Sequence, residues 1–454
     1  MIPGYIKKTL KVLSDAGFES YVVGGAVRDT LRGVPVHDYD VTTSALPDQT
    51  KAAMEQAGFK TIIDSSARYG TLVFINPGVP EEKIEITTFR SDNGYSDCRH
   101  PDSVKFTASV KEDAARRDFT VNALYMDAEG NITDPNGGGE ADIKEGIIRA
   151  VGDPVRRFEE DALRILRAVR FEAQTGFVIE ENTARAMKET KDLLKNISSE
   201  RIFSEFTGIV TAANGPMAIR HNLEVISVII PELLIQDGFD QLSRYHDRDL
   251  LTHTLDVLDG VPVEQDGKKD TAIAIAALIH DIGKPAVFTI DENGVGHMKK
   301  HSIAGVKIAE RIADELKFSN KLKHEVTELV LYHDSFPEPE RKAVKVFASI
   351  FGFDLLEKLF VLQRADIAAH SPLGLGRMEL LGKIMDVYKQ IRKEDPCMSI
   401  RQLAISGDDL MEMGYPEGPM IGAILKDVLE QVMLETLPNE REDIVRYVTG
   451  EYLL

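Results

Sequence analysis

The sequence is poor in cysteine, in long apolar runs and in positive charge. Its 454 residues hold two cysteines, Cys98 and Cys397. Two are too few for a disulfide framework or a four-cysteine zinc site, and a reducing, cytoplasmic compartment fits. The longest apolar run, Ala272 to Ile279, falls far short of the ~20 residues that cross a bilayer. The N-terminus alternates apolar and charged residues at helical spacing, without the apolar stretch and small-residue cleavage site of a signal peptide. No short internal repeat and no low-complexity linker interrupts the chain. Basic residues number 54 against 74 acidic ones, for a net charge of −20. That balance argues against indiscriminate nucleic-acid binding, which goes with a basic surface.

At ~150 residues per domain the length suggests about three domains. Residues 1–148 mix short β-branched runs with helical stretches and many glycines, an α/β or α+β pattern. From about residue 150 onward apolar residues recur at helical spacing, with loop signals such as Asn214-Gly215-Pro216 between them. The charge is uneven. Residues 149–201 carry a net +1, the segment before them −7 and the remainder −14. An acidic exterior with one local basic groove would repel arbitrary RNA and admit a shape-matched one.

Two short elements carry chemistry near the start. Val23-Gly24-Gly25-Ala26-Val27-Arg28-Asp29 places a glycine pair after a short strand and before a helix. Glycine lets the backbone approach a phosphate, the helix start offers N–H groups, and Arg28 adds a charged donor. Asp38-Tyr39-Asp40 follows. In a strand, residues i and i+2 share a face, so Asp38 and Asp40 would stand side by side as hard oxygen ligands for Mg²⁺. Such a cation activates a hydroxyl and stabilises a pyrophosphate leaving group. Glu85, in Ile84-Glu85-Ile86, is either a third carboxylate from a neighbouring strand or a solvent-facing strand residue.

The motifs as a series resemble the class II tRNA nucleotidyltransferases and the related bacterial poly(A) polymerases of the polymerase-β superfamily. Gly24 to Asp29 with Asp38 and Asp40 is similar to their first motif. Arg116-Arg117-Asp118-Phe119-Thr120-Val121-Asn122-Ala123 is similar to the second. Asp134-Pro135 with Gly137-Gly138-Gly139 and Asp142, then Glu160-Asp161-Ala162-Leu163-Arg164, then Ser199-Glu200-Arg201 follow in family order. In this reading Gly25, Arg28 and Arg117 meet the triphosphate. Asp118 and Asn122 are groups of the sort that hold a ribose hydroxyl. Asp161, Arg164, Arg167 and Arg170 recur every three residues and are expected on one helical stripe beside the apolar Leu163, Leu166 and Val169. The resemblance implies that Asp161 and Arg164 read the base and that Arg167 and Arg170 contact the nucleotide phosphates. Cytosine and adenine both present an amine beside an acceptor nitrogen, so one acceptor–donor pair serves CTP and ATP and rejects UTP and GTP. The polar segment Arg90 to Pro101 is similar to the flexible loop of enzymes that add the terminal A.

A second constellation lies downstream. His253, His280-Asp281 and Asp366, with His301 and His333 between them, resemble the HD phosphohydrolase superfamily. The resemblance implies a second divalent transition metal, held by His253, His280, Asp281 and Asp366, and a phosphatase or 2′,3′-cyclic phosphodiesterase activity. The C-terminal Ile405-Ser406-Gly407-Asp408-Asp409-Leu410 resembles the end of bacterial members, where glycines before a helix would face RNA phosphate or simply turn the chain.

The expected architecture is α+β. A polymerase-β-like head (1–148) with a small mixed sheet is followed by a mostly helical neck (149–240), an HD domain (241–375) and a C-terminal tRNA-contacting region (376–454). The expected activity is template-independent addition of C, C and A to tRNA from CTP and ATP, with Mg²⁺. The rivals are an A-adding enzyme, a poly(A) polymerase and an HD phosphohydrolase with a nucleotide-sensing head. The oligomeric state is not legible.

Overall fold

The computed structural model describes residues 2–36, 38–63, 70–76, 79–93, 103–394, 397 and 399–452. The expected adenosine-adding loop falls mostly within 94–102, outside the described residues. Two compact units are present, Met1–Pro231 and Glu232–Leu454.

The first unit is built on a seven-stranded mixed sheet. Its strands are β1 (Ser20–Val23), β2 (Asp40–Thr43), β3 (Lys60–Ile63), β4 (Thr71–Asn76), β5 (Val79–Thr88), β8 (Tyr125–Met126) and β9 (Ile132–Thr133). They lie in the order β3-β4-β5-β2-β1-β8-β9. Between β5 and β8 the chain makes a separate hairpin, β6 (Arg90–Asn93) with β7 (Ser103–Phe106). Among the described residues only β2 and β5 pair in parallel in the large sheet; the other pairings are antiparallel. Helix α1 (Gly4–Asp15) has Ile6, Leu10 and Leu13 fully out of solvent, the i, i+4, i+7 set of an amphipathic face. Helix α2 (Gly25–Leu31) follows β1 directly. The turn between them rests on Gly24 at φ 76°, ψ −134°, a conformation closed to side chains with a Cβ. Helix α3 (Pro47–Gln56) follows β2.

Beyond the hairpin, α4 (Val110–Ala115) is capped by Ser109, whose hydroxyl accepts from Glu112 N at 3.3 Å. The glycine cluster after β9 opens α5 (Gly139–Glu145). Asp134 accepts from the N–H of Gly137 at 3.1 Å and of Gly139 at 2.8 Å. A Cβ on Gly139 would lie 2.7 Å from the Thr120 carbonyl, so this glycine permits a backbone-to-backbone contact. A short parallel pair, β10 (Ile147–Ile148) with β11 (Val178–Ile179), brackets the first two of the next six helices. These are α6 (Pro154–Glu160), α7 (Leu163–Thr175), α8 (Glu181–Thr190), α9 (Ser199–Val210), α10 (Gly215–His221) and α11 (Leu223–Ile226).

The second unit is helical. It runs through α12 (Glu232–Gln236), α13 (Leu250–Gly260), α14 (Thr271–Ile279), α15 (Lys284–Val287), α16 (His301–Glu315), α17 (Asn320–Tyr332), α18 (Arg341–Phe351), α19 (Phe353–Ala368), α20 (Arg377–Lys393), α21 (Gly407–Glu412), α22 (Pro419–Met433) and α23 (Arg441–Glu451). The expected neck boundary at 240 therefore falls inside this unit. The long apolar run is α14, buried from Ala272 to Ile279. It is hydrophobic all round because α13, α17 and α19 all pack against it. Among the described residues no helix is long and apolar enough to cross a membrane. The last helices close on their own core, with Leu410, Ile424, Val428, Ile444 and Val448 fully buried.

Candidate active site

Strand register brings three carboxylates together. Asp40 opens β2 and stands opposite Glu85 of the parallel β5. Asp38 lies in the segment leading into β2, not in the strand as expected, because the strand begins at Asp40. All three residues are open to solvent, yet the surrounding protein still desolvates two of them. Desolvation, then the Asp38 charge, raises the Asp40 pKa, and Arg117 opposes the rise. Desolvation, then Asp40 and Asp38, raises that of Glu85. Asp40 and Glu85 line a cavity of about 220 Å³ with Thr71, Thr87, Arg116 and Arg117. Carboxylates held above their ordinary range by desolvation and then by one another's charge, with an open side to solvent, fit a hard divalent cation.

Both arginines also line a second cavity, of about 230 Å³, with Asp118, Asp161, Arg164 and Arg167. The anchor between the cavities is Asp113, fully buried in α4. Its Oδ1 accepts from Arg116 Nη2 at 2.7 Å and Nε at 3.0 Å. Its Oδ2 accepts from Arg117 Nη2 at 3.0 Å and from the Tyr125 hydroxyl at 2.7 Å. Burial works against ionisation here, but the two guanidiniums win and hold the Asp113 pKa at about 2. The sequence reading missed Asp113, although it sits three and four residues before the arginines it holds.

The two residues expected to read the base, Asp161 and Arg164, are separated by a helix break. Asp161 has extended backbone (φ −143°, ψ 101°) between α6 and α7, so it does not ride the helical stripe with Arg164, Arg167 and Arg170. The reason is local: Asp161 Oδ1 accepts from Leu163 N at 3.1 Å, which closes a turn just ahead of the next helix. Its Oδ2 accepts from Arg201 Nη2 at 3.1 Å. Arg164 is buried and donates from Nη1 to Glu160 at 2.8 Å and to the Arg157 carbonyl at 3.0 Å. Its Nη2 donates to the Arg116 carbonyl at 3.0 Å. Glu160, which also holds Arg157 at 2.8 Å, is a second residue the sequence reading left unassigned.

The remaining expected residues lie deeper. Asp118 Oδ2 accepts from Arg167 Nη2 at 2.6 Å and Nε at 2.9 Å. Against the cost of burial, Arg167 pulls the Asp118 pKa down to about 2. Asn122 Oδ1 accepts from Arg28 Nη1 at 2.8 Å. Arg28 is itself buried and forks onto Asp29, with two bonds of 3.0 Å. Arg170 bonds Glu205 at 2.5 Å and Gln174 at 2.9 Å. The guanidiniums of Arg28, Arg167 and Arg170 lie 5.2, 5.3 and 4.4 Å from the Phe171 ring centre, a shared cation–π platform. Gly25, Arg28, Asn122 and Arg170 are not among the residues lining either cavity. Asp118 and Arg167 do line the second one.

The second unit assembles the histidine series. His280, His301 and His333 each place Nδ1 on a backbone carbonyl, of Ala277 (2.9 Å), Met298 (3.0 Å) and Val330 (2.8 Å). His253 does so toward Ala369 at 3.4 Å. A carbonyl only accepts, so Nδ1 carries the proton and Nε2 keeps its lone pair. Those lone pairs converge on carboxylate oxygens. His280 Nε2 lies 3.1 Å from Asp281 Oδ2, and His253 Nε2 lies 3.1 Å from Asp366 Oδ1. His301 and His333 face the other oxygen, Asp281 Oδ1, at 3.3 and 3.5 Å. Buried Nε2 of His253, Nε2 of His280 and Oδ1 of Asp281 lack hydrogen-bond partners. Buried acceptors left without hydrogen-bond partners fit a cation, and His253, His280, Asp281 and Asp281, His301, His333 form two groups of metal-ligating reach. Lys284, also unforeseen, lies 2.6 Å from Asp281 Oδ2. A cavity of about 780 Å³ opens over the cluster, with Arg244, Lys284, Lys299, Lys300 and Arg377 in its wall.

Known proteins resemble the chain in sequence and fold. The poly A polymerase head domain family matches residues 20–149. The family described as the probable RNA and SrmB-binding site of polymerase A matches 176–233. The tRNA nucleotidyltransferase domain 2 family matches 303–448. The CCA-adding enzyme of Lactobacillus helveticus is 48% identical over 228 residues, 50% of this chain and 53% of that protein. The CCA-adding enzyme of Levilactobacillus brevis is 31% identical over 449 residues, 98% of this chain and 96% of the relative. The crystal structure of the Bacillus stearothermophilus CCA-adding enzyme in complex with CTP superposes with a TM-score of 0.70 at 27% identity, covering 99% of this chain and 98% of that one. With its motifs in order and a relative matched end to end, the chain belongs to the CCA-adding enzyme family.

Proposed function

We propose that the protein adds C, C and A to the 3′ end of tRNA from CTP and ATP, without a nucleic-acid template. The observation that carries this reading is the pair of cavities sharing Arg116 and Arg117. One holds the carboxylates Asp40 and Glu85; the other holds Asp161 and Arg164. Asp38 and Asp40, with Glu85 beside them, would hold Mg²⁺, which supplies charge neutralisation and hydroxyl activation when bound. The RNA 3′-hydroxyl forms a bond to the α-phosphorus, the bond to the β-phosphate oxygen breaks, and pyrophosphate leaves with its electron pair. Arg117 places positive charge where the triphosphate passes from one cavity to the other.

Asp161 accepts from the exocyclic amine of cytosine or adenine, and Arg164 donates to the ring acceptor beside it. Arg201 and Glu160 hold these two side chains in place before a base arrives, which lowers the ordering cost on binding. Asp118, in the cavity wall, and Asn122, in the layer beneath, act on the ribose. Arg167, anchored on Asp118, reaches the nucleotide from the cavity wall, while Arg28 and Arg170 brace that wall. The test is incubation with tRNA ending at the discriminator base, Mg²⁺, and CTP and ATP singly or together. Three added residues and a stop are expected. A long A tail, use of ATP alone, or no addition would each overturn the reading in favour of one rival.

A second reading applies to the histidine cluster. It is a metal-dependent phosphohydrolase site, with His253, His280, Asp281 and Asp366 as ligands and His301 and His333 on the far oxygen of Asp281. Its support is the converging Nε2 atoms beneath a cavity with a basic wall, suited to a phosphoester. A divalent transition metal would supply a polarised phosphoryl group. Hydrolysis of bis(4-nitrophenyl) phosphate with added Mn²⁺ tests it, and an inert protein would refute it. In this scheme 1–148 is the catalytic head, 149–240 the base-reading neck, 241–375 the hydrolase segment and 376–454 a tRNA-contacting region.

A further inference from the structure

We infer that Asp113 is a positioning residue for nucleotide binding, acting through Arg117 at the seam between the two cavities. The inference rests on the reading that Arg117 meets the nucleotide. Asp113 is fully buried and touches neither cavity, yet it fixes both arginines that line them. Arginine carries about 2 kcal/mol of rotamer entropy, and a guanidinium that must meet a triphosphate loses it unless it is already ordered. Here two of the Arg117 donors are fixed: Nη2 by Asp113 at 3.0 Å and Nε by the Tyr125 hydroxyl at 3.0 Å. Tyr125 in turn donates its proton to Asp113 at 2.7 Å, so its oxygen is set to accept from Arg117. Among the described residues Nη1 of Arg117 has no protein partner.

Asp113 is also tied to the wall of the carboxylate cavity through Arg90. Its Oδ1 accepts from Arg90 N at 3.3 Å, and Arg116 Nε donates to the Arg90 carbonyl at 3.1 Å. One buried carboxylate thereby sets the spacing between a metal-side wall and a base-side wall.

The test compares Asp113→Asn, Arg117→Ala and the double variant. Dissociation constants for CTP and ATP are measured by titration calorimetry with Mg²⁺, and KM values for nucleotide and tRNA in the addition assay. Asp113→Asn is expected to raise the nucleotide Kd and KM by about tenfold, the worth of one charge-assisted hydrogen bond, with the tRNA KM unchanged. The double variant is expected to be no worse than Arg117→Ala alone. An unchanged nucleotide Kd, additive effects, or equal rises for tRNA and nucleotide would overturn the inference. If Asp113→Asn does not fold, Tyr125→Phe removes one contact from each partner, and an unchanged nucleotide Kd there also overturns it. Calorimetry separates this outcome from failure of the addition reading, because a wild-type protein that extends no tRNA still reports nucleotide affinity.

Discussion

Asp40→Asn should make the first unit more stable and inactive at once. Asp40 and Glu85 are register partners on parallel strands, which sets their backbones ~4.8 Å apart. Two unit charges about 5 Å apart repel by roughly 3 kcal/mol at an effective dielectric of 20. These groups are open to solvent, so about 1 kcal/mol is the appropriate figure after screening. For a unit of this size that is about 2–4 °C in Tm. Calorimetry in EDTA should show the variant melting higher than the wild type by that amount. Mg²⁺ at about ten times its Kd should then stabilise the wild type by about 1.4 kcal/mol and the variant by much less. Addition to tRNA, read on a gel, should fall by at least about 10³, an electrostatic loss of about 4 kcal/mol. The sign of the pH dependence follows from the direction of the shifts. Asp40 and Glu85 have folded pKa values above the ordinary ones. Their penalty is full when both states are ionised, shrinks as the pH falls through the raised values, and vanishes below about 4. The Tm gap should close over that window. A variant that melts lower than wild type in EDTA, or gains as much from Mg²⁺, would refute the cation-site argument.

Arg164→Lys keeps the charge and loses the fork, so misincorporation of UTP and GTP should rise about tenfold or more, with CTP turnover less affected; unchanged discrimination in single-nucleotide assays would contradict the base-reading role. Asp113 and Asp118 are buried with pKa values of about 2, each worth about 2 kcal/mol of stability above pH 4. That stability is lost as the pH falls from about 4 towards 2, so Asp118→Asn should flatten the acid limb of a circular-dichroism unfolding profile, and an unaltered limb would sink the assignment. His280→Ala should abolish Mn²⁺-dependent hydrolysis of bis(4-nitrophenyl) phosphate and leave CCA addition intact; hydrolysis at the wild-type rate would remove His280 from the ligand set.

The legibility of the site in the sequence follows the range of the interactions. Spacing along one element was readable: the strand–Gly–helix turn at Gly24, the buried run of α14, and the arginines of α7. Pairing between distant segments was not. Alternation placed Glu85 on one face of a strand, but only the parallel register of β2 and β5 decides that this face carries Asp40. A period of three put Asp161 on a helix, with no Gly or Pro to warn otherwise. Its carboxylate instead bonds Leu163 N in the turn between α6 and α7, and a short acid that bonds nearby backbone as readily as it continues a helix gives no periodic signal. Asp113 shows the mixed case. Its spacing to Arg116 and Arg117 is local, but Tyr125, which completes the set, arrives through sheet pairing with β1. Likewise the order His, His-Asp, Asp was visible, whereas the placement of His301 and His333 on the opposite oxygen of Asp281 depends on how α16 and α17 pack.

The two sites also differ in a way that bears on metal choice. In the head the donors are carboxylate oxygens on an open surface, and what keeps them there is backbone register. Hard oxygens with room for water and phosphate suit Mg²⁺, which gives up its water reluctantly. In the second unit the donors are mostly imidazole nitrogens, buried, with each Nδ1 tied to a carbonyl so that the ring cannot turn. A cation there must shed its water and accept nitrogen, which favours divalent transition metals over Mg²⁺. The same protein should therefore show two separable metal responses. Addition should follow Mg²⁺ and survive a brief treatment with a nitrogen-donor chelator such as phenanthroline. Hydrolysis should be lost in that treatment and return with Mn²⁺, Co²⁺ or Ni²⁺. Equal loss of both activities to phenanthroline would contradict the division of ligand types between the two units.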